Sequence, residues 1–256
     1  MVKRSFVADH DTDHQGDQAT GFGNVVDLSR TLIERTYNQL RLDIVEGRLH
    51  PDEKLRVEHL KSRYEVGAGT LREAMSRLIS DSLIMAEGQR GFRVAPIAIE
   101  DLEDITRTRI QLEIEALRQS IQHGDKAWRD KLTEVHEELD ALGNPGEAFD
   151  RKQWEYLNGR FHAVLIESYA SAWTLRFLDM LSRHGERYRR LAISLNLPGR
   201  DVQAEHRDIF KSAVTGNDVR AALALEAHIR ATTDLLRQAM DKGVKVFDAQ
   251  SITRSE

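Results

Sequence analysis

The chain has no cysteine, so disulfides and thiolate zinc sites are both excluded. It contains no run of about 18 apolar residues, which excludes an ordinary transmembrane helix. The opening stretch, MVKRSFVADHDTDHQ, lacks the apolar core of a secretory signal. These absences predict a cytoplasmic protein without a membrane partner. There is no internal repeat and no HExxH metalloprotease motif. A basic excess is missing as well: the net charge is −5, which argues against nucleic-acid binding until it is divided along the chain.

What is present is an ordinary soluble composition, 40% hydrophobic and 31% charged, in 256 residues, a length that suits two domains. Between Lys54 and Arg93 stand eight bases (Lys54, Arg56, Lys61, Arg63, Arg72, Arg77, Arg90, Arg93) against five acids (Glu58, Glu65, Glu73, Asp81, Glu87). That local surplus suits phosphate, although a bias this small supports a motif and does not stand alone.

Residues 1–27 carry Asp9, Asp11, Asp13 and Asp17 among glycines without apolar periodicity, and read as a disordered arm. From Ser29 a helical stripe appears, Ile33, Tyr37, Leu40 and Ile44, closed by Gly47. A short second helix carries Val57, Leu60 and Tyr64. After the turn Glu65-Val66-Gly67-Ala68-Gly69, a third helix buries Leu71, Ala74, Met75 and Leu78. Thr70 and Glu73 match a capping box, placing its start near Thr70, with Gly67 as an earlier possibility. Leu83–Glu87 and Phe92–Ala95, joined by Gly88-Gln89-Arg90-Gly91, read as a two-stranded wing. Pro96 then breaks the chain.

This order is that of a winged helix-turn-helix, whose third helix enters the major groove while the wing touches neighbouring backbone. The residues turned outward are Thr70, Arg72, Ser76 and Arg77, with Arg90 and Arg93 on the wing. A three-helix protein-interaction domain with ordinary surface arginines is the competing reading.

Beyond Pro96 the pattern is helix after helix, at about 99–123, 126–142, 147–170, 172–195, 200–215 and 218–240. The fold expected is therefore mainly α: an N-terminal winged helix-turn-helix over 28–95 and a C-terminal six-helix antiparallel bundle over 97–240. Residues 241–256 read as a loose tail. Asn158 and His162 are four apart on one helix and share a face. His206 and His228 lie nearly equally far from the turn at Gly216-Asn217, so an antiparallel pair brings them to one level, ~16 Å from that turn at ~1.5 Å per residue. Two facing imidazoles with a His/Asn pair suit zinc or a similar borderline ion, nickel and manganese being the alternatives. On spacing alone, three unrelated core histidines is an equal reading. Arg109 lies on the inner stripe of Leu102, Ile105, Leu112 and Ala116, where it either pairs with Glu113 one turn on or clamps an anion. Arg189 is a second such position.

The run Val66-Gly-Ala-Gly-Thr-Leu-Arg-Glu-Ala-Met-Ser-Arg-Leu78, with Ser82-Leu-Ile and Gly91-Phe-Arg-Val94, resembles the GntR family of bacterial regulators. The helices that follow resemble the FadR-type ligand domain called FCD, so the resemblance spans about 29–240. Within the family the chain is most similar to the glutarate/GABA-catabolism repressor subgroup. The resemblance implies metal ligands at Asn158, His162, His206 and His228, and an effector carboxylate at Arg109. Two departures stand out. Gly67-Ala68-Gly69-Thr70 replaces the family's usual Ser-Arg-Thr-Pro, removing a base-contacting arginine at Ala68, and Glu58 replaces another basic or polar contact. Arg72 is retained, and Arg56, Arg63 or Arg77 would compensate through phosphate, which positions a protein without specifying sequence. Asn158 stands where the usual ligand is aspartate, leaving the site one charge more positive and favouring an anionic effector.

The expectation is thus a regulator, not an enzyme: a homodimer on a palindromic double-stranded operator, released by a small carboxylate, with a five-carbon diacid implied by the subgroup. The alternatives are a metal-dependent hydrolase fused to a DNA-binding unit, with Glu155 or Glu205 as a loose base, and an interaction scaffold with a structural metal.

Overall fold

The computed structural model describes residues 22–88, 91–143, 150–169, 171–195 and 200–247, with side chains described from residue 31. The first unit comprises α1 (Phe22–Val45), β1 (Lys54–Leu55), α2 (Val57–Tyr64), α3 (Ala68–Ser80), β2 (Ile84–Ala86) and β3 (Phe92–Val94). Its core is the stripe read from sequence: Leu40, Ile44, Leu60, Tyr64, Leu71, Ala74, Met75 and Leu78, closed by Leu83, Ile84 and Val94. Asp43 fastens α1 to α2, accepting from the Tyr64 hydroxyl at 2.5 Å and the Arg63 guanidinium at 2.9 Å.

Four sequence expectations are corrected here. The first helix begins at Phe22, inside the stretch read as an arm; residues 1–21, with the rest of that arm, lie outside the described residues. α3 starts at Ala68 with Gly67 as its N-cap and no side-chain cap, so Thr70 and Glu73 sit inside the helix and form no capping box. The wing has three strands in the order β1-β3-β2, all antiparallel, because Lys54 and Leu55 pair with Arg93 and Phe92. A two-residue strand is too short to show a period of two. The stretch after the last helix is also not wholly loose: Val246 is buried, and Phe247 packs on Tyr188.

The second unit is a bundle of α4 (Ile99–His123), α5 (Lys126–Asp140), α6 (Arg151–Leu165), α7 (Ala172–Ser194), α8 (Val202–Val214) and α9 (Asp218–Asp241). The helix expected at 147–170 is shorter, running from its cap at Asp150 to Leu165. Side-chain caps start five of these helices: Asp125, Asp150, Ser171, Asp201 and Asn217 each accept from the backbone N–H three residues on. Gly124, at the α4 to α5 corner, is required by packing, since a Cβ there would lie 2.3 Å from the Trp128 ring. Gly216 adopts φ 78° in the tight α8 to α9 turn, a conformation that excludes most side chains. The main core runs through Leu117, Leu132, Leu139, Trp154, Phe161, Ile209, Ala213 and Leu225.

The two units are joined along α7. Arg41 of α1 bonds Glu186 at 2.5 Å, and Arg190 reaches both Glu186 and Glu46 at 3.2 Å. Arg183 and His184 hold Asp81 at the end of α3, at 3.2 and 2.7 Å. Arg187 donates to the Ala95 carbonyl at 2.7 Å.

Leu132 is fully buried on α5. Leu132→Ala should therefore lower unfolding free energy by about 2–5 kcal/mol in urea titration. A loss below about 1 kcal/mol would mean that α5 is not part of the bundle core.

Candidate functional site

On α3 the apolar side is buried, and Arg72, Glu73 and Ser76 are exposed on the other, with Thr70 half-buried at its first turn. The arginines proposed for DNA divide into two groups. Arg72, and Arg56 at the head of α2, are exposed and make no ion pair to a described residue. Arg63 is held by Asp43 at 2.9 Å, and Arg77 by Glu34 at 2.9 Å. Arg93 lies in the central strand, donating to Glu87 and to the Asp52 carbonyl, each at 2.5 Å, so it orders the wing from within. Arg90 lies outside the described residues. Of these arginines, the two without an ion pair among the described residues thus stand at the head of α2 and on α3.

In the bundle, the antiparallel α8 and α9 bring His206 and His228 to 4.8 Å between ring centres, as their equal distance from the Gly216 turn requires. α6 brings His162 to 4.9 Å from His228 and 5.6 Å from His206. One ligand nitrogen from each of the three lies within 4.8 Å of the other two. His228 and His162 turn their Nε2 atoms toward each other at 3.1 Å. The Nδ1 of His228 meets the Glu205 carboxylate at 2.8 Å, which places its proton there and leaves Nε2 a bare lone pair. Both ring nitrogens of His206, the Nδ1 of His162 and the Oδ1 of Asn158 are buried with no hydrogen-bond partner among the described residues.

Burial pushes all three imidazoles toward the neutral form. Desolvation drives His206 down to about 3, against an opposing pull from Glu205, and holds His162 and His228 well below the ordinary histidine value, where Arg109 and Arg189 add to it. Neutral imidazoles with unsatisfied lone pairs are the donor set a borderline divalent ion takes. Left without one, each orphaned atom carries a desolvation cost of about 1–3 kcal/mol. The donors therefore fit a metal. His162, His206 and His228 would hold it, with the buried amide oxygen of Asn158, one turn before His162, as the fourth protein donor in reach of the same face.

Three arginine–glutamate pairs surround the histidines: Arg109 with Glu113 at 2.6 Å, Arg189 with Glu155 at 3.2 Å, and Arg200 with Glu205 at 2.8 Å. A small void of about 20 Å³ is lined by Arg109, Arg189 and Arg200 together with His162 and His228. Arg109 does pair with Glu113, but only through Nε. Its Nη1 lies 3.2 Å from where a Cβ on Gly185 would stand, and the Nη1 of Arg189 lies 3.4 Å from the same point. The two guanidinium ends thus approach one glycine of α7, and neither Nη1 has a hydrogen-bond partner among the described residues. Two guanidinium ends so placed could together hold an anion.

Sequence reasoning missed Gly185 and Arg200, and it weighed Glu205 only as a base. Arg200 precedes α8, outside any helical period, and its bonds to Thr232 and the His228 carbonyl exist only after α8 and α9 pack. Gly185 carries no side chain to read.

The comparisons agree with this layout. The model for bacterial regulatory proteins of the gntR family matches residues 32–94, and the FCD domain model matches residues 104–231. The chain is 44% identical to the HTH-type transcriptional regulator BphR of Paraburkholderia xenovorans strain LB400, over 82% of this chain and 86% of that one. It is 29% identical to the HTH-type transcriptional repressor GlaR of Escherichia coli K12, over 80% and 95%. Among solved structures it shares its fold with E. coli McbR/YncC, at a TM-score of 0.66 and 17% identity, covering 82% of this chain and 98% of that one. No helix among the described residues is long and apolar enough to cross a membrane. With a helix-turn-helix unit at one end, an FCD bundle at the other and no enzyme among these relatives, the chain belongs to the GntR family of DNA-binding transcriptional regulators.

Proposed function

We propose that this regulator binds a palindromic operator as a homodimer, acts as a repressor, and is released by a small carboxylate bound beside a divalent metal, most favourably zinc, in the C-terminal bundle. The observation that carries the reading is the approach of the Nη1 ends of Arg109 and Arg189 to one point beside three neutral imidazoles, two of which, His162 and His206, have ring nitrogens without a partner among the described residues. A bound ion would supply positive charge and an open coordination position at that spot. The residues themselves would hold the ion, orient the carboxylate and exclude water. Because Asn158 is neutral, a His₃Asn set would add no negative charge of its own, which favours an anionic effector.

The route from this site to DNA is α7. Gly185 and Arg189 face the clamp, while Arg183, His184, Glu186, Arg187 and Arg190 on the same helix grip the DNA-binding unit. Any shift of α7 that seats the carboxylate moves Asp81, at the end of the recognition helix. Coupling of this kind is reciprocal: the effector must bind the DNA-free form more tightly, and by the same factor it weakens DNA binding.

Three outcomes follow. In a mobility-shift titration, Arg72→Ala should lose specific operator binding while keeping its fold, because a bidentate base contact is worth about 1–3 kcal/mol; parental binding would move the reading face off α3. With the parent protein, at least one member of a carboxylate panel from glutarate to octanoate should raise the operator dissociation constant about 5- to 150-fold. Arg109→Ala should keep metal and DNA binding yet lose that response, and an unaltered response would return Arg109 to a purely structural pair with Glu113.

Elemental analysis should find about one divalent ion per chain, released in His206→Ala and held more tightly in Asn158→Asp. Removing the ion should lower Tm and expose a pH dependence. The folded-state values of the three histidines lie below their unfolded value, so the unfolded chain binds more protons as pH falls below about 6.5. Stability of the stripped protein is then full above that pH and falls as pH drops through 6 toward 4. His206→Gln should remove up to about 1.4 kcal/mol per pH unit of that slope. Absence of metal from the purified protein, with no stabilisation when zinc is added back, would sink the metal half of the proposal.

A further inference from the structure

A cavity of about 770 Å³ lies between α6 and α7, with Arg41 and Leu42 of α1 at its edge. It reaches the clamp, since Arg109, His162 and Arg189 line it. Away from the clamp the apolar part of the wall is Ile166, Leu175 and Leu178, beside the polar Ser182, Asp179 and Glu167. The two helices run antiparallel here. Glu155 and Arg189 bond across the cavity at 3.2 Å, and eleven residues along each helix from that bond stand Ile166 and Leu178, ~16 Å away at ~1.5 Å per residue.

This volume falls among pockets of ~300–1,000 Å³ that enclose drug-sized ligands. A short diacid held at Arg109 and Arg189 would leave most of it empty. Toward Ile166 and Leu178 the lining cations are held by acids, Arg41 by Glu186, Arg183 by Asp179 and Arg160 by Glu138, while the exposed Lys152 lies at the opposite end, three residues before Glu155. Arg109 and Arg189 alone among these arginines turn their Nη1 ends to the shared point over Gly185. A second carboxylate at that end would meet Ile166, Leu175 and Leu178 and no uncommitted cation, and its desolvation would go uncompensated. A neutral hydrocarbon would leave the clamp unmet.

We infer that the effector is a monocarboxylate with an extended apolar body, its head at Arg109 and Arg189 and its body along Ile166, Leu175 and Leu178. This rests on the carboxylate reading given above and narrows it to one chemical class. Seated so, the ligand fills the space between α6 and the helix that grips the DNA-binding unit.

The test is calorimetric titration of the zinc-loaded full chain with glutarate, butanoate, hexanoate, octanoate and octanamide. Affinity should climb from butanoate to octanoate by up to about fourfold for each methylene buried, with glutarate no tighter than butanoate and octanamide much weaker than octanoate. Ala163→Trp, at an exposed cavity position, and Leu175→Gln, at a half-buried one, should bring octanoate down to the butanoate level while leaving butanoate unchanged. Retained zinc and an unchanged Tm would show that both variants fold. Equal affinity across the monocarboxylates, or glutarate tightest, overturns the apolar body and leaves the carboxylate reading standing. Octanamide binding as tightly as octanoate overturns the head assignment. No binding by any carboxylate removes the carboxylate reading and this inference with it.

Discussion

Burying three imidazoles side by side inside a helical bundle is the constraint on which the C-terminal half depends. Each ring sits where water does not reach the orphaned nitrogens of His206 and His162, so each must stay neutral and each lone pair needs a partner. The surroundings are arranged to that end. Glu205 accepts a hydrogen bond from the Nδ1–H of His228, and Arg200 in turn pairs with Glu205, ties to Thr232 and donates to the His228 carbonyl. Arg109 and Arg189 bring positive charge close by, but each comes with its own glutamate, so the protein's shell is nearly balanced. What the shell lacks is an acceptor for the Arg109 and Arg189 Nη1 ends and a Lewis acid for the imidazoles. The proposed metal and anion would complete it.

The same constraint explains why α7 is built with two faces. A helix that carries Gly185 and Arg189 toward the buried site cannot drift relative to α4 without breaking the Tyr188 hydroxyl's bond to Asp101 at 2.6 Å. Its outer residues are bound as firmly to the other domain, through Glu186, Arg187 and Arg190. These contacts are partly buried ion pairs, in which removing one partner costs more than the pair contributes. They suit a coupling between domains, because they favour one discrete arrangement over a continuum of loose ones.

Much of this was legible before any fold was known. The stripes that form α1, α3 and α4 are strong helical periods, and Gly216-Asn217 marks a turn by composition alone. From that turn, simple counting put His206 and His228 at one depth. Other features had no linear signal. β1 is two residues long and exists only because β3 is beside it. Thr70 and Glu73 have the spacing of a capping box, yet the helix begins two residues earlier, since Gly67 accepts the extended backbone of an N-cap as readily. Val246 reads as tail and is buried because Tyr188 and Phe247 happen to make a place for it.

By itself the sequence determined which residues must hide and which polar residues hide with them. Apolar periodicity sets the helices, and a histidine or arginine on an apolar stripe is carried inward with it. It also determined the family, through a run of residues in the turn and recognition helix that few other folds share. Only the tertiary structure decided which charges are free. Arg56, Arg63, Arg72, Arg77 and Arg93 look alike along the chain, but Asp43, Glu34 and Glu87 hold three of them and leave Arg56 and Arg72 open. Likewise only packing set two guanidiniums over Gly185 and opened the cavity beside them. The physical reason is range: periodicity acts over a few residues of one helix, whereas an ion pair or a cavity needs groups from helices dozens of residues apart.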